Sequence, residues 1–322
     1  MATALKESVE QVRREDAFRE GHRLCPGCLE ASALHAIGRA TDDGRKTVFA
    51  LGTHCSEAGA LRYPDVVAWG RGPEEPDSLA RTVGVIQAGA ESAISVAEGI
   101  RDAADALAEL GAWSAPAPNV VAVTSDAGGL AGGLDGLLHT LHRGHPLTIF
   151  VLLHEVYGAS RFPVPATVTG PGREPIDHLR LAVASGAGLV AQVSPAFPEL
   201  FAQISREALD CAASAVVFVP APCLSGWRVD ERRGGEVARL ACETGIAPGF
   251  RWRAGSSAEV LAVPPKPQRP RVEEYLARQQ RFEHLARLDG DRAVVVPGGE
   301  AEVAALQKWA DGRVERLGNV AG

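Results

Sequence analysis

The sequence predicts an α/β fold: a parallel sheet flanked by helices, followed by a helical C-terminal extension. Two apolar runs carry this expectation, residues 119–124 (NVVAVT) and 147–153 (LTIFVLL). Strands covered on both faces lose the apolar–polar alternation of half-exposed ones. Between the runs stand a glycine-rich turn, SDAGGLAGG, and a helical pattern over 134–142. Strand, turn, helix and strand in that order form a βαβ crossover, which joins parallel strands. The alternation continues through 176–185, 189–193, 198–212 and 215–219.

The remaining elements follow in order. Residues 1–20 are a charged arm, helical in pattern and without the apolar stretch of a secretion signal. A Cys-rich turn over 21–28 leads into a helix over 30–40. Residues 47–51 form a short apolar strand that ends in Gly52-Thr53-His54-Cys55. Residues 64–77, rich in Pro, Gly and charge, are a loop. From 88 to 110 apolar and small residues recur at helical spacing, and Ala88, Gly89 and Ala90 permit close approach to another backbone. Residues 263–270 (VPPKPQRP) are a Pro-rich basic linker, and 272–288 and 303–317 are amphipathic helices. The chain therefore divides into an arm (1–20), an α/β domain (21–262), and a linker with a helical tail (263–322).

Composition narrows the function. With 322 residues, 46% of them hydrophobic and 23% charged, the chain buries a sizeable core without disulfide staples. A net charge of -7 argues against a nucleic-acid-binding surface. No apolar run reaches the ~18 residues of a membrane helix. The expected location is the cytoplasm, where six cysteines point to metal or redox chemistry rather than to disulfides.

Cys25-Pro26-Gly27-Cys28 is a C-x-x-C turn, which suits zinc, a redox pair or half an iron–sulfur site. Cys55 follows the first strand, and Cys223 follows the strand over 215–219. In parallel sheets the residues after strand C-termini gather at one edge, so four thiolates can converge there. That set suits a [4Fe–4S] cluster or a Cys₄ zinc. Cys211 and Cys242 lie within helical patterns, where core packing is the simpler role.

GHRLCPGC, GTHCSE, SDAGG followed by HEVY, and APCLSGW occur in this order. Together with EVARLACETGIAPGF and RVEEYLARQQRFEHL, they resemble the thiamine-diphosphate-binding β subunit of pyruvate:ferredoxin oxidoreductase and its 2-oxoacid relatives, over about residues 21–288. The resemblance implies a thiamine-diphosphate-binding fold. It also implies that Cys25, Cys28, Cys55 and Cys223 hold a [4Fe–4S] cluster that passes single electrons outward.

The same resemblance places the diphosphate site at Asp126, Ala127, Gly128 and Gly129. A glycine-rich turn presents backbone N–H groups to phosphate, and a carboxylate with a backbone carbonyl holds Mg²⁺. Asp126 is the implied carboxylate and Val156 the implied carbonyl ligand. The sequence departs from the family here. His154, 28 residues after Asp126, stands where an oxygen ligand is usual, and imidazole suits softer metals than Mg²⁺. Ala159-Ser160-Arg161 replaces an Asn-Thr-Gly run, so the polar group of the Asn position is gone. His154 is nevertheless the one candidate for a catalytic side chain.

Simpler readings stand beside these. Asp126 can cap the following helix. His154 can be a buried histidine bonded to a carbonyl, and His54 a donor to a cluster sulfur. His139, His142 and His145 have metal-like spacing but also suit a solvated face. Arg161 can contact substrate or join a surface ion pair.

The expected function is that of a β subunit in a 2-oxoacid:ferredoxin oxidoreductase-like complex, of the pyruvate synthase type. The reaction is oxidative decarboxylation of a 2-oxoacid, with coenzyme A as acyl acceptor and ferredoxin as electron acceptor. The resemblance implies an α subunit carrying the pyrimidine-binding domain, together with γ and ferredoxin-like δ subunits. The expected cofactors are a [4Fe–4S] cluster, thiamine diphosphate and Mg²⁺; neither nucleic acid nor membrane is an expected partner. The alternatives are a degenerate electron-relay or assembly subunit without thiamine diphosphate, and a zinc-stabilised binding protein.

Overall fold

The computed structural model describes residue 18 and residues 22–41, 46–55, 83–113, 116–157, 162–163 and 176–320. Of the expected arm over 1–20 the described residues include Phe18, and the loop over 64–77 and the Ala159-Ser160-Arg161 run lie outside them.

In chain order the elements are helix α1 (Leu29–Ala40), strands β1 (Thr47–Gly52) and β2 (Val83–Ala88), helix α2 (Ala93–Glu109) and strand β3 (Asn119–Ser125). A π-helical turn over Ala127–Gly132 follows, then α3 (Leu134–Arg143), β4 (Thr148–Leu153), and the short strands β5 (Val156–Tyr157) and β6 (Phe162–Pro163). Next come α4 (His178–Ala184), β7 (Leu189–Gln192), α5 (Pro198–Leu209), β8 (Ala215–Pro220), the one-turn helix α6 (Leu224–Trp227), and α7 (Gly234–Glu243). The chain closes with β9 (Gly249–Arg253), β10 (Glu259–Leu261), α8 (Val272–Leu276), β11 (Ala286–Asp289), β12 (Arg292–Val295) and α9 (Glu300–Gly318).

Eight strands form the central sheet in the order β10-β9-β7-β8-β4-β3-β1-β2. The six strands from β7 to β2 pair parallel. β9 pairs antiparallel with β7, and β10 antiparallel with β9. Every residue of β3, β4 and β8 is buried, which is why these strands read as unbroken apolar runs.

The pleat sends alternate side chains to two cores. On one face Phe49, Val121, Val123, Phe150, Leu152, Val217 and Val219 pack with Leu34 and Ile37 of α1 and Phe201 and Ile204 of α5. On the other, Ile149, Val151, Val216 and Phe218 pack with Ile94 of α2, Leu137 and Leu141 of α3 and Leu179 of α4. Leu317 of α9 joins this second core.

Two sequence expectations fail. The helix expected over 88–110 begins only at Ala93, and Ala88 instead ends β2, pairing with Gly52. The turn between them packs against the glycine-rich segment, its Ala90 carbonyl facing Gly128 and accepting from the Thr124 hydroxyl. The single helix expected over 272–288 is instead α8, a 3₁₀ turn (Gln280–Phe282) and β11. The apolar spacing persists through these breaks because Val272, Tyr275, Leu276, Leu285 and Ala286 all reach a third core, shared with Val156, Leu224 and Trp227. Among the described residues no helix is long and apolar enough to cross a membrane.

Candidate functional site

β8, β4, β3 and β1 are consecutive neighbours in the sheet and run the same way. Their C-terminal ends therefore open on one edge. Cys55 follows β1, Asp126 follows β3, His154 follows β4 and Cys223 follows β8. The N-terminal end of α1 brings Cys25, Cys28 and Glu30 to the same place.

The C-x-x-C turn is closed by the Cys28 N–H donating to the Cys25 carbonyl at 3.1 Å. Gly27 is required there. It has φ +71°, and a Cβ would lie 2.2 Å from the Glu231 carbonyl oxygen. Cys55 is close enough to feel the charges of Cys28, Cys223 and Cys25, and Cys223 that of Cys25.

Burial, followed by the Glu30 charge, pushes Cys28 up to about 12 and Cys55 higher still. Burial also raises Cys223, against the Gly226 N–H that donates to its Sγ at 3.3 Å. Four bare thiolates are unfavourable here unless a cationic centre compensates them. Among the described residues, Glu98, Asp102 and His145 are a group of three possible ligands whose atoms lie within 4.8 Å of one another. Of the other cysteines, Cys242 is buried in α7, and Cys211 packs at the edge of the first core.

Asp126 ties the two halves of the diphosphate motif together. Its Oδ1 accepts from the Ala127 N–H at 3.0 Å, which is the capping role, and its Oδ2 accepts from the Glu155 N–H at 2.7 Å. The turn it caps is built for close approach. A Cβ on Gly128 would lie 2.2 Å from the Ala90 carbonyl oxygen, and one on Gly133 2.6 Å from that of Glu91. The Thr124 hydroxyl donates to the same Ala90 oxygen at 2.8 Å. Ala127, Gly128 and Gly129 are buried at the start of this turn. Of its backbone N–H groups, that of Ala127 is taken by Asp126 Oδ1 and that of Gly128 donates to the Ser125 hydroxyl at 3.4 Å.

His154 is 3% exposed, and its Nε2 lies 3.1 Å from Oε2 of Glu30, which is fully buried. Burial pulls the imidazole down, but the Glu30 hydrogen bond, then its charge and that of Asp126, leave it raised. Its carbonyl accepts from the Trp227 indole N–H at 2.9 Å. His154 therefore brings a carboxylate-paired imidazole where the expected Mg²⁺ set needs an oxygen, and both Asp126 carboxylate oxygens accept from backbone N–H groups. Val156 lies in β5, with its side chain against Gly226.

Sequence reasoning missed Glu30. The signal was present: Glu30 shares the buried face of α1 with Ala33, Leu34 and Ile37, an acid on an apolar stripe. Four buried atoms in this cluster, both Glu30 carboxylate oxygens and Nε2 of His54 and of His154, have no hydrogen-bond partner among the described residues, although Glu30 Oε2 and His154 Nε2 approach as a charge pair. Such atoms cost about 1–3 kcal/mol each unless a bound polar group meets them. Burial and then the nearby His154 hold His54 below the usual imidazole range. His145 forms ion pairs with Glu98 and Asp102, at 2.9 and 3.2 Å, rather than a set with His139 and His142. Arg143 neutralises the same two acids.

Residues 79–219 match the family model of the thiamine pyrophosphate enzyme C-terminal TPP binding domain; thiamine pyrophosphate is thiamine diphosphate. The structure resembles a 2-oxoglutarate:ferredoxin oxidoreductase from Magnetococcus marinus with TM-score 0.51 and 19% identity, covering 70% of this chain and 80% of that one. The fold is accordingly a thiamine-diphosphate-binding α/β fold. The pyruvate synthase subunit PorB of Methanocaldococcus jannaschii is 27% identical, covering 96% of this chain and 99% of the relative. The ketoisovalerate oxidoreductase subunit VorB of Pyrococcus furiosus is 26% identical, covering 95% and 94%. Along nearly its whole length, the chain resembles the subunits of these 2-oxoacid oxidoreductases.

Proposed function

We propose that this chain is the β subunit of a 2-oxoacid:ferredoxin oxidoreductase-like complex. The observation that carries the reading is the sheet edge where four adjacent parallel strands bring Cys55, Asp126, His154 and Cys223 together beneath Cys25 and Cys28. The net reaction converts a 2-oxoacid and coenzyme A into an acyl-CoA, CO₂, one proton and two electrons. Bound thiamine diphosphate supplies the carbanion chemistry, and a [4Fe–4S] cluster supplies the one-electron exit. Cys25, Cys28, Cys55 and Cys223 would hold the cluster. The Ala127–Gly129 backbone would receive the diphosphate, and Asp126 with the Val156 carbonyl would hold Mg²⁺. Glu30, fully buried, would fix the His154 ring.

The chain supplies a diphosphate-type site only. An α subunit would supply the pyrimidine side, with γ and ferredoxin-like δ subunits completing the complex in the cytoplasm. One observation favours the second reading, an electron-relay subunit without thiamine diphosphate: His154 is committed to Glu30 and offers Mg²⁺ no oxygen.

The test is anaerobic reduction of the purified complex by a panel of 2-oxoacids with coenzyme A. The expected result is CO₂ release with two electrons per oxoacid delivered to ferredoxin. A complex with an intact cluster that no 2-oxoacid reduces, yet that exchanges electrons with ferredoxin, supports the relay subunit instead.

A further inference from the structure

We infer that Arg281 is a positioning residue that locks the Cys223 loop and the Asp126–Glu155 loop into one rigid unit. The inference rests on the proposed function for the identity of the two groups, but its geometry is independent of it. Arg281 lies in the 3₁₀ turn Gln280–Phe282 of the C-terminal segment, far in sequence from both loops. Its guanidinium carbon stacks 3.4 Å from the Trp227 ring centroid. Nη1 lies 2.9 Å from the Glu155 carboxylate, Nη2 donates to the Tyr275 hydroxyl at 3.1 Å, and Nε donates to Gln279 Oε1 at 2.8 Å. Each nitrogen of the fork is engaged, on three different partners.

The two contacts that matter lead to opposite halves of the site. Trp227 ends the single helical turn that Cys223 begins, and its indole N–H donates to the His154 carbonyl. Glu155 has φ +55°, a left-handed conformation that a non-glycine residue adopts only when its surroundings hold it. Its backbone N–H is the donor to Asp126 Oδ2. The loops also meet directly, since a Cβ on Gly226 would lie 3.1 Å from both Val156 methyl carbons. Arg281 spans this seam by stacking on one side and pairing on the other. A lysine can keep the pairing but not the planar stack.

The test compares Arg281→Ala, Arg281→Lys and Arg278→Ala in the assembled complex. Arg278 lies on the same segment but pairs with Glu236 and Glu274, away from both loops. The readouts are iron content, the electron paramagnetic resonance line shape of the reduced cluster, and calorimetric binding of thiamine diphosphate. Arg281→Ala is expected to keep its iron, to change the line shape, and to weaken thiamine diphosphate about tenfold, the combined worth of a desolvated cation–π contact and an ion pair. Arg281→Lys should recover only part of both, and Arg278→Ala should match the wild type.

Wild-type line shape and affinity in Arg281→Ala, or equal changes in Arg278→Ala, would overturn the inference. If Arg281→Ala assembles poorly, Arg281→Lys decides by the same readouts. A wild-type complex that binds no thiamine diphosphate defeats the proposed function alone. The line shape then decides here, and an unaltered signal in the Arg281 variants overturns the positioning role.

Discussion

The thiol edge and the diphosphate edge meet on one sheet margin but are built from different materials. Cys25, Cys28, Cys55 and Cys223 would act through side chains carried by three segments, the C-x-x-C turn and the loops after β1 and β8, so each can be read from the sequence as a residue type. The proposed diphosphate cradle would act through backbone. Its requirements are that nothing project from Gly128 toward Ala90, and that the Asp126 carboxylate reach the Glu155 N–H. Side-chain sites survive any background that brings the loops together, whereas a backbone site depends on every neighbour that fixes the loop. The departures from family pattern, at His154 and Ala159, fall on the second kind.

The sharpest way to break this comparison is to remove thiols. Cys55→Ser and Cys223→Ser should each lose most of the expected four irons, whereas Cys211→Ser should lose none. Iron analysis of anaerobic protein checks this, and equal loss from all three would refute the ligand set. Next in size is His154→Ala, which removes the partner of the fully buried Glu30 side chain. Denaturant unfolding should show about 3–5 kcal/mol of destabilisation. Glu30→Gln together with His154→Ala should recover part of it. A loss under 1 kcal/mol in the single variant would mean that the pair is not formed.

His178, outside both edges, provides a pH control. Burial and then the Arg313 charge lower its pKa to about 4 from 6.5. Its Nε2 donates to Gln192 Oε1 at 3.0 Å as a neutral ring, the Gln192 amide nitrogen being used on the Pro248 carbonyl. Because the folded value is the lower one, its contribution is complete above about pH 6.5 and is lost as pH falls toward 4, by roughly 3 kcal/mol at most. His178→Asn should flatten that part of the stability–pH curve; an unchanged slope would contradict the assignment. The smallest expected effect on stability is Gly128→Ala, about 1–3 kcal/mol from overpacking. Its signature is selective, with thiamine diphosphate binding lost and iron retained.

The sequence made the sheet legible where burial is two-sided. β3, β4 and β8 carry unbroken apolar runs, and their order places three of the site segments. It was silent on β9 to β12, which are short and mixed in polarity, and it misread 272–288 because helix, turn and strand all keep apolar residues on one core. The thiols were legible as residue types with known chemistry. Glu30 was hidden as an ordinary acid in the first turn of a helix, and only its place on the buried face distinguishes it. Arg281 could not be read at all, since its meaning lies in contacts with Trp227 and Glu155 that the fold alone creates.

The most direct test quantifies iron, sulfide, zinc and thiamine diphosphate on one anaerobic sample of the assembled complex, corrected for clusters on partner chains by parallel analysis of the Cys223→Ser complex. One sheet edge serving both groups predicts that wild type exceeds the variant by about four irons and four sulfides per β chain, and that wild type holds about one thiamine diphosphate per chain. Zinc in place of that iron, or the full iron difference without thiamine diphosphate, would contradict it.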